Sequence, residues 1–205
     1  MTPRRQERGE QTRREVLEAT LRLLAREGPR GVTHRAVAAE AGTSVRATTY
    51  YFRSREELLR ESLEHYATTA IARFDAIGAP LSADVTTPVE AAADLLAATV
   101  LSDVVDDRAG LVAEYELVLE IGRNSGLEPV YRAWQDKLES ILAGYAEMLG
   151  SSDPALDARV VLSTLRGLEI EALARPSRKP SRAELRRLFR VLLEGLAARR
   201  RPGPE

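Results

Sequence analysis

The chain contains no cysteine and only two histidines, His34 and His65. Without thiols it forms no disulfide and no thiolate metal site, and a metal site would have to rest on carboxylates. No apolar run reaches the roughly 18–20 residues that a membrane-spanning helix needs, because charged residues interrupt every candidate stretch. The basic start of the chain is not followed by an apolar segment, so a secretory signal is not expected. These absences favour a cytoplasmic protein with no metal and no cofactor.

The distribution of charge is uneven although the net charge is only −1. The 205 residues suffice for one or two domains, and 44% hydrophobic with 30% charged residues is typical of globular proteins. Residues 1–60 contain 13 Arg and 8 Glu, a net charge of +5, and the rest of the chain carries −6. A basic segment favours an anionic partner for that segment, and a solvated charged surface is the alternative.

The periodicity of the sequence predicts an all-α fold. Apolar residues recur at intervals of three and four along nearly the whole chain, without sustained alternation of apolar and polar residues. Helix-start signals are explicit, since Ser54, Thr87 and Ser181 are each followed three residues later by Glu, as in a capping box. Three glycines stand where helices are expected to end in a left-handed residue: Gly28, Gly42 and Gly150.

These signals together predict about nine helices. They are placed at residues 11–27, 34–41, 45–51, 55–77, 88–101, 108–123, 127–149, 154–174 and 182–198. The longest irregular connection is expected from Gly78 to Thr87, and the first ten and last seven residues are expected to be tails. The close spacing of the first three helices predicts a small basic N-terminal module (10–70) on a larger helical body (71–205).

Residues 33–52 have the pattern of a helix-turn-helix. Thr33 is placed to cap a short helix, and the alanines that follow keep that helix slim. Residues 41–43 (Ala-Gly-Thr) form a three-residue turn, after which Ser44 is placed to cap a second short helix. Two helices joined by a turn of three or four residues that contains glycine are typical of this DNA-binding motif.

The second of these short helices carries side chains suited to DNA. Arg46 can bind a guanine edge or a phosphate, Thr48 a base edge, and Ala47 a thymine methyl group. Tyr50 and Tyr51 at the end of the helix can donate to phosphates. Aromatic residues in such a run also occur in protein cores, so one of the two tyrosines is the candidate for packing instead.

The stretch from residue 32 to residue 58 resembles the DNA-binding domain of the TetR/AcrR family of bacterial repressors. The resemblance rests on VTxRxVAxEAGxS at 32–44 and YYFxSREEL at 50–58, and it covers about residues 10–70. It implies a homodimeric, one-component transcriptional regulator that is not an enzyme and binds double-stranded operator DNA. The DNA-contacting residues that it implies are Thr33, Arg35, Ser44, Arg46, Ala47, Thr48, Tyr50, Tyr51 and Arg55.

Two positions depart from the pattern of that family. Arg46 stands where a small residue is usual, and Thr49 stands where a tyrosine is common. Both positions bear on which operator is bound rather than on whether DNA is bound. His34, in the first turn of the first short helix, is expected to be solvated rather than to contact DNA.

The resemblance also implies two domains, a DNA-binding domain at 10–70 and a ligand-binding and dimerisation domain at 71–205. The second domain would contain an effector cavity and would dimerise through the last two long helices, within residues 154–198. A core role explains the apolar stripes of these helices equally well. The candidate interface residues are Val161, Leu165, Gly167, Leu168, Leu185, Phe189 and Leu192. Bulky residues and a few polar ones are the candidates for the wall of a pocket that holds a small hydrophobic effector. They are Tyr66, Phe74, Tyr115, Glu116, Arg123, Tyr131 and Trp134.

The expected function is therefore a repressor that binds a palindromic operator as a dimer and is released by a small molecule. A constitutive or activating DNA-binding regulator without a ligand is the first alternative. An all-helical enzyme is a remote alternative, because the sequence has no nucleophile elbow, no glycine-rich phosphate loop and no cysteine.

Overall fold

The computed structural model describes the backbone of residues 3–81 and 87–199 and the side chains of residues 7–78 and 87–199. The fold is 85% helical and no strand occurs among the described residues, so the predicted all-α class is confirmed. The nine α-helices of the described residues are α1 (Pro3–Glu27), α2 (His34–Glu40), α3 (Val45–Tyr51), α4 (Arg55–Leu81), α5 (Pro88–Leu101), α6 (Arg108–Ile121), α7 (Glu128–Met148), α8 (Pro154–Ala174) and α9 (Arg182–Ala198). None of them combines the length and the apolar sequence that crossing a lipid bilayer requires.

The predicted helix-start and helix-end signals are confirmed by the hydrogen bonds at the helix starts and by the backbone angles at the helix ends. The hydroxyls of Ser54, Thr87 and Ser181 accept hydrogen bonds, of 3.1, 3.3 and 3.1 Å, from the backbone N–H three residues later. The three predicted glycines have positive φ angles, +68° at Gly28, +63° at Gly42 and +80° at Gly150. Side chains with a Cβ avoid this backbone region, which explains why glycine stands at these positions.

The first helix is eight residues longer than predicted. α1 begins at Pro3, so the prediction of a tail over the first ten residues is wrong from residue 3 onward. Proline is favourable in a first turn because the N–H that it lacks would have no helical partner there. Of the predicted C-terminal tail, residues 200–205 lie outside the described residues.

The fourth helix also continues beyond its predicted end at residue 77. α4 ends at Leu81, and residues 82–86 of the predicted irregular connection lie outside the described residues. Gly78 does not end the helix but lies close to other side chains. A Cβ at this position would stand 3.6 Å from a methyl of Leu95 and 3.7 Å from the hydroxyl of Tyr145. A glycine that permits close approach has the same sequence signal as one that ends a helix.

The chain divides into two compact units. The first unit combines the residues up to Thr69 with Arg108–Trp134. Within it, α1 packs against α6 and α2. Its fully buried apolar residues include Val16, Leu24, Val32, Val37, Phe52, Leu58, Leu59 and Leu63. The functional division that the sequence places at residue 70 stays a prediction.

The second unit combines Ala70–Asp107 with the residues from Gln135 onward. α9 packs along α5, and it buries one side at Leu185, Phe189, Leu193 and Leu196. A π-helical turn, Ser102–Asp106, follows α5 directly. Arg73 of α4 binds the carboxylates of Asp103 and Asp107 at 2.6 and 2.7 Å. Burial raises the pKa of Asp103, and the neighbouring Arg73 opposes that increase.

Candidate DNA-binding and effector sites

The helix-turn-helix predicted at residues 33–52 is formed by α2, a short turn and α3. The oxygens of Thr33 and Ser44 cap the two helices, accepting hydrogen bonds of 3.1 Å from the N–H groups of Ala36 and Ala47. Gly42 adopts its left-handed conformation in the turn. Because a hydroxyl that accepts a capping bond keeps its own proton as a donor, both caps are still able to donate to a phosphate.

The inner face of the motif holds α3 against the rest of the first unit. Phe52 and Val37 are fully buried, and so is Thr48. The hydroxyl of Thr48 donates to the carbonyl of Val45 at 2.8 Å and contacts the carbonyl of His34 at 3.4 Å. Thr48 thus joins α3 to the start of α2, and its side chain lies on the side opposite to solvent.

The outer face of the motif presents a set of exposed polar side chains. Tyr50 is 79% exposed, and Arg35 and Arg46 are exposed as well. Thr49, beside them on α3, is exposed with its hydroxyl donating to the carbonyl of Val45 at 3.1 Å. Ala47 is half-buried between the two faces. This face contains two cations, hydroxyls and a phenol, which are the groups that contact base edges and phosphates.

The arginines near the motif differ in whether a carboxylate binds them. Arg22 and Arg26 both bind Glu40, at 3.0 and 2.9 Å, and these hydrogen bonds hold the pKa of that carboxyl below its ordinary value. No carboxylate among the described residues binds Arg35 or Arg46. The positive charge of the outer face is therefore not neutralised within the described part of the chain, which favours an external anion.

Two predicted contact residues have structural partners. The hydroxyl of Tyr51 would lie 3.3 Å from a Cβ at Gly9, so Tyr51 packs on α1, and its ring meets that of Tyr50 edge to face at 5.1 Å. Arg55 donates to the carbonyls of Val32, at 3.1 Å, and Pro29, at 2.5 Å. These bonds fix the segment that leads into α2, which leaves Arg55 less free than Arg35 or Arg46 to bind a phosphate.

The second unit contains a small cavity of about 30 Å³ between side chains of its five long helices. Its walls are aliphatic except for Phe74, Tyr145 and Asp157. The rings of Phe74 and Tyr145 meet edge to face at 6.2 Å. The volume suits one or two water molecules, whereas pockets for drug-sized ligands have about 300–1,000 Å³. A ligand of that size would fit only after the lining side chains move apart.

Among the described residues that line this cavity, Asp157 alone carries a carboxylate. It is 4% exposed and accepts hydrogen bonds from the hydroxyl of Ser151, at 2.7 Å, and from the guanidinium of Arg199, at 2.6 Å. Arg199 follows the last turn of α9, and half of its side chain is exposed. The pair therefore joins a buried carboxylate on α8 to a guanidinium that remains partly in contact with solvent.

The other predicted pocket residues lie elsewhere. Phe74 alone lines the cavity of the second unit, whereas the rings of Tyr66 and Tyr131 both contact Trp134 in the first unit, at 5.7 and 6.2 Å. Glu116 approaches Gly28, also in the first unit. Tyr115 is half-buried, and Arg123 is an exposed residue paired with Glu120 at 3.4 Å. The structure therefore does not gather the seven predicted residues around one cavity.

The predicted interface residues point in different directions. Leu185 and Phe189 are buried inside the protomer on α9, and Val161 and Leu165 are buried on α8. Leu168 and Leu192 are half-buried, and Gly167 is exposed. Most of the predicted stripe therefore belongs to the core of the second unit. The two helices expose other apolar residues, which share one side of each helix: Leu156 and Ile170 on α8, and Leu188 and Val191 on α9.

Sequence reasoning missed Tyr145, Asp157 and Arg199. The signal for Asp157 was available, since an acidic residue follows the Asp153-Pro154 helix start. An acidic residue in a first turn is also what the helix dipole favours, so that pattern alone indicates no binding role. Tyr145 and Arg199 carried no local signal, because the cavity and the ion pair beside it exist only after α4, α5, α7, α8 and α9 pack together.

Comparison with known families agrees with this architecture. Residues 87–195 match the family described as "Tetracyclin repressor-like, C-terminal domain", and residues 16–62 match "Bacterial regulatory proteins, tetR family". No curated protein sequence matches the chain. The second family covers the whole helix-turn-helix and the start of α4, so the fold and the site define a DNA-binding regulator.

Solved structures of similar fold include the multidrug binding protein EbrR in complex with imidazole. It is 26% identical, with 94% of this chain and 96% of EbrR covered, at a TM-score of 0.64. A TetR-family member from Streptomyces coelicolor A3 is also 26% identical, with 88% and 97% covered and a TM-score of 0.68. A transcriptional regulator from Rhodococcus sp. Rha1 has a TM-score of 0.75 over 94% and 99%, but at 18% identity it shows the fold alone.

The chain belongs to the TetR family of transcriptional regulators. Members of this family are non-enzymatic DNA-binding proteins that form dimers. The resemblance predicted from the helix-turn-helix sequence is confirmed, and so is the predicted all-α fold class. Of the predicted function, the part that is confirmed is a DNA-binding transcriptional regulator.

Proposed function

We propose that this protein is a repressor that binds a palindromic operator as a homodimer and leaves it when a small molecule occupies the cavity of the second unit. The outer face of the helix-turn-helix carries the proposal. Arg35 and Arg46 are exposed there without a carboxylate partner among the described residues, beside a phenol, Tyr50, that is 79% exposed. Groups of this kind bind phosphates and guanine edges.

The proposed contacts are a subset of those that the sequence suggests. They come from Thr33, Arg35, Ser44, Arg46, Ala47 and Tyr50. Thr48 is left out because its buried hydroxyl binds backbone carbonyls of α3 and α2. Tyr51 and Arg55 support the contact surface from behind, Tyr51 by packing on α1 and Arg55 by holding the carbonyls that precede α2.

The dimer in this proposal is formed by the exposed apolar sides of α8 and α9. Leu188 and Val191, 46% and 62% exposed, share one side of α9, and Ile170 is 52% exposed on α8. On the same sides, a Cβ at Gly167 or Gly195 would meet nothing within 4 Å, which leaves space for a partner helix to approach closely. A two-fold axis there would present two α3 helices to half-sites about 34–36 Å apart.

Operator binding is tested by gel shift with the DNA that flanks the gene of this protein. We expect binding whose affinity falls steeply with salt, because phosphate contacts release counter-ions. Arg46→Ala should weaken binding by about 1–3 kcal/mol, with the loss concentrated on operators that keep one particular guanine, if Arg46 contacts that base. Lys137→Ala, an exposed cation on α7 in the second unit, is the matched control and should leave affinity unchanged.

Two outcomes would contradict this assignment. Absence of salt-sensitive binding by the wild-type dimer to any palindromic site would overturn the DNA-binding proposal. An equal loss for Arg46→Ala and Lys137→Ala would show that Arg46 acts only through net charge.

For the effector we propose a flat aromatic cation. EbrR has been crystallised with ethidium and with imidazole, and it is similar to this chain over most of its length. Here the cavity offers two aromatic rings, Phe74 and Tyr145, and one buried carboxylate, Asp157. Rings attract cations and Asp157 supplies the opposite charge. Since the ligand needs a wider cavity, it would stabilise a conformer in which that cavity is open and would lower operator affinity if that conformer binds DNA less well.

Thermal unfolding with ethidium tests this effector class. A ligand at 100 times its dissociation constant stabilises the fold by about 2.7 kcal/mol. Asp157→Asn should weaken ethidium binding about ten- to a hundredfold, because a hydrogen bond to a charged group contributes about 1.5–3 kcal/mol. Arg199→Ala should strengthen it, because the competing cation is removed. Equal ethidium affinity in all three proteins would exclude Asp157 as the counter-ion.

A DNA-binding regulator without an effector is the second candidate function. The observation that favours it is the cavity itself, whose volume of about 30 Å³ is far below that of a ligand pocket. Operator binding that ethidium and other hydrophobic compounds leave unchanged would favour this candidate.

A further inference from the structure

In residues 7–15, α1 is a helix without a buried side chain. The buried residues of α1 begin at Val16. Gly9 and Thr12 are half-buried, whereas the other residues of this segment are exposed. Because residues three, four and seven positions apart share one side of a helix, Gly9, Thr12 and Arg13 lie on the same side of α1 as Val16. This side is the one that contacts α3.

That side of α1 contacts the C-terminal end of α3 from its packed side. A Cβ at Gly9 would stand 3.3 Å from the hydroxyl of Tyr51, closer than ordinary van der Waals contact. One turn further, the guanidinium of Arg13 lies 5.6 Å from the ring centre of Phe52, and it pairs with Glu61 of α4. A cation within about 6 Å of a ring centre is attracted by the ring. The two contacts therefore join the end of α3 to α1.

Gly9 is unfavourable for the helix that contains it. Glycine is the least favourable residue in a helix interior apart from proline, because its backbone loses the most conformational freedom. Here the small residue permits the approach of the Tyr51 hydroxyl, which a Cβ would displace by a few tenths of an ångström. Gly144 of α7 differs, since a Cβ there would meet nothing within 4 Å. The close approach to Tyr51 therefore distinguishes Gly9 from a helical glycine in open space.

Tyr51 is also the neighbour of the exposed phenol of the outer face. The rings of Tyr50 and Tyr51 meet edge to face, with their centres 5.1 Å apart. Within the described part of the chain this is the one ring contact of Tyr50, and the Tyr50 hydroxyl has no hydrogen-bond partner there. Tyr50 is 79% exposed, so core packing does not fix the direction of its side chain. The ring of Tyr51 is thus the group that limits where the Tyr50 hydroxyl points.

We infer that Gly9 and Arg13 are positioning residues for operator binding. They hold Tyr51 and Phe52 from the packed side of α3, and Tyr51 in turn directs the phenol of Tyr50 to a backbone phosphate. The inference rests on the proposed function, since it needs operator DNA on the outer face. Gly9→Ala would displace the ring of Tyr51 without changing any outward side chain. It should therefore lower operator affinity although alanine favours the helix.

The first test compares the full-length wild type with Gly9→Ala and Gly144→Ala, by gel shift on one operator and by thermal unfolding. Both substitutions replace a helical glycine by a better helix former, so neither should lower the melting temperature. Gly9→Ala should nevertheless weaken operator binding about five- to hundredfold, because a hydrogen bond to a phosphate is weakened in each of the two protomers. Gly144→Ala is the matched control and should leave affinity unchanged.

The Arg13 contact is tested in the same assays. Arg13→Ala should weaken operator binding, because the end of α3 loses the cation beside Phe52. Arg13→Lys keeps a cation that the ring attracts and should restore most of the affinity. Lys137→Ala also removes one positive charge and should not reproduce the loss, which separates positioning from net charge.

The second test measures whether Gly9 acts through Tyr50. Tyr50→Phe should weaken binding in the wild-type background and have no further effect in the Gly9→Ala background. Arg35→Ala removes a proposed contact on α2, which Gly9 does not touch. Its cost should be the same factor in both backgrounds, to within about twofold. A general disturbance of the first unit would not cancel the cost at Tyr50 while keeping the cost at Arg35.

Three results overturn the inference. They are wild-type affinity of Gly9→Ala, an equal cost of Tyr50→Phe in both backgrounds, and wild-type affinity of Tyr50→Phe, since no phenol contact would then need positioning. If Gly9→Ala unfolds at a lower temperature, the Arg13 variants decide, and wild-type affinity of Arg13→Ala overturns the inference. Failure of the wild type to bind DNA overturns the proposed function instead.

Discussion

Phe189→Ala should lower the free energy of unfolding by about 3–5 kcal/mol. Phe189 is fully buried on α9, the helix that packs along α5, and it is among the largest fully buried side chains of the described residues. Removing the ring takes away its buried area and leaves a cavity that rigid neighbouring helices fill only in part. Denaturant unfolding followed by circular dichroism measures the change. Leu119→Ala, at a 67% exposed apolar residue, is the control and should change the free energy by less than about 0.5 kcal/mol.

This measurement shows whether the apolar residues Leu185 and Phe189 of α9 belong to the core of the protomer or to a dimer interface. The sequence suggests Leu185 and Phe189 as interface residues, and a substitution at an interface would mainly change dimer dissociation. A Phe189→Ala protein that unfolds at the wild-type denaturant concentration but sediments as a monomer would contradict the core position of this side chain.

Val191→Glu should convert the protein to a monomer and reduce operator affinity. Val191 is 62% exposed in the protomer, so a carboxylate is tolerated there until a second copy covers it. Because a two-fold interface places the same residue on both sides, each dimer would then bury two like charges. A monomer binds one half-site, and loss of the second linked site costs about 10²–10⁴ in affinity. Sedimentation velocity and gel shift measure the two effects.

The control for this prediction is Leu119→Glu, a charge at another exposed apolar position, on α6. It should leave both the dimer and operator binding intact. A Val191→Glu protein that remains a dimer at micromolar concentration would place the interface elsewhere, and Ile170→Glu on α8 would then be the next variant to measure.

The sequence predicted those parts of the fold that local chemistry determines. The caps at Ser54, Thr87 and Ser181 and the left-handed glycines need only neighbouring backbone groups, so three- or four-residue patterns suffice to identify them. The helix-turn-helix was predictable for the same reason, because its caps and its turn glycine lie within twenty residues. α1 was predicted too short because no apolar periodicity marks residues 3–10, although nothing in them prevents a helix.

The sequence did not predict which side of an apolar helix is buried in the protomer and which side is exposed. α8 and α9 are apolar on two sides, and periodicity does not distinguish the side that faces the chain's own core from the side left exposed. Phe189 and Val191 lie on opposite sides of α9, since two residues correspond to about 200° of rotation, and their exposures are 0% and 62%. Thr48 and Thr49 are likewise adjacent, and only the packing of α3 on α2 decides which of them is buried.

The division of α3 into two faces has a consequence for how such regulators diversify. Thr48 and Phe52 hold α3 in place, whereas Arg46, Thr49 and Tyr50 point away from the core. Exchanges at the outward positions leave the buried contacts intact, so mutation explores new operator preferences there at little cost in folding. After gene duplication, two copies of this protein could thus acquire separate sets of target genes through few substitutions while keeping the same scaffold.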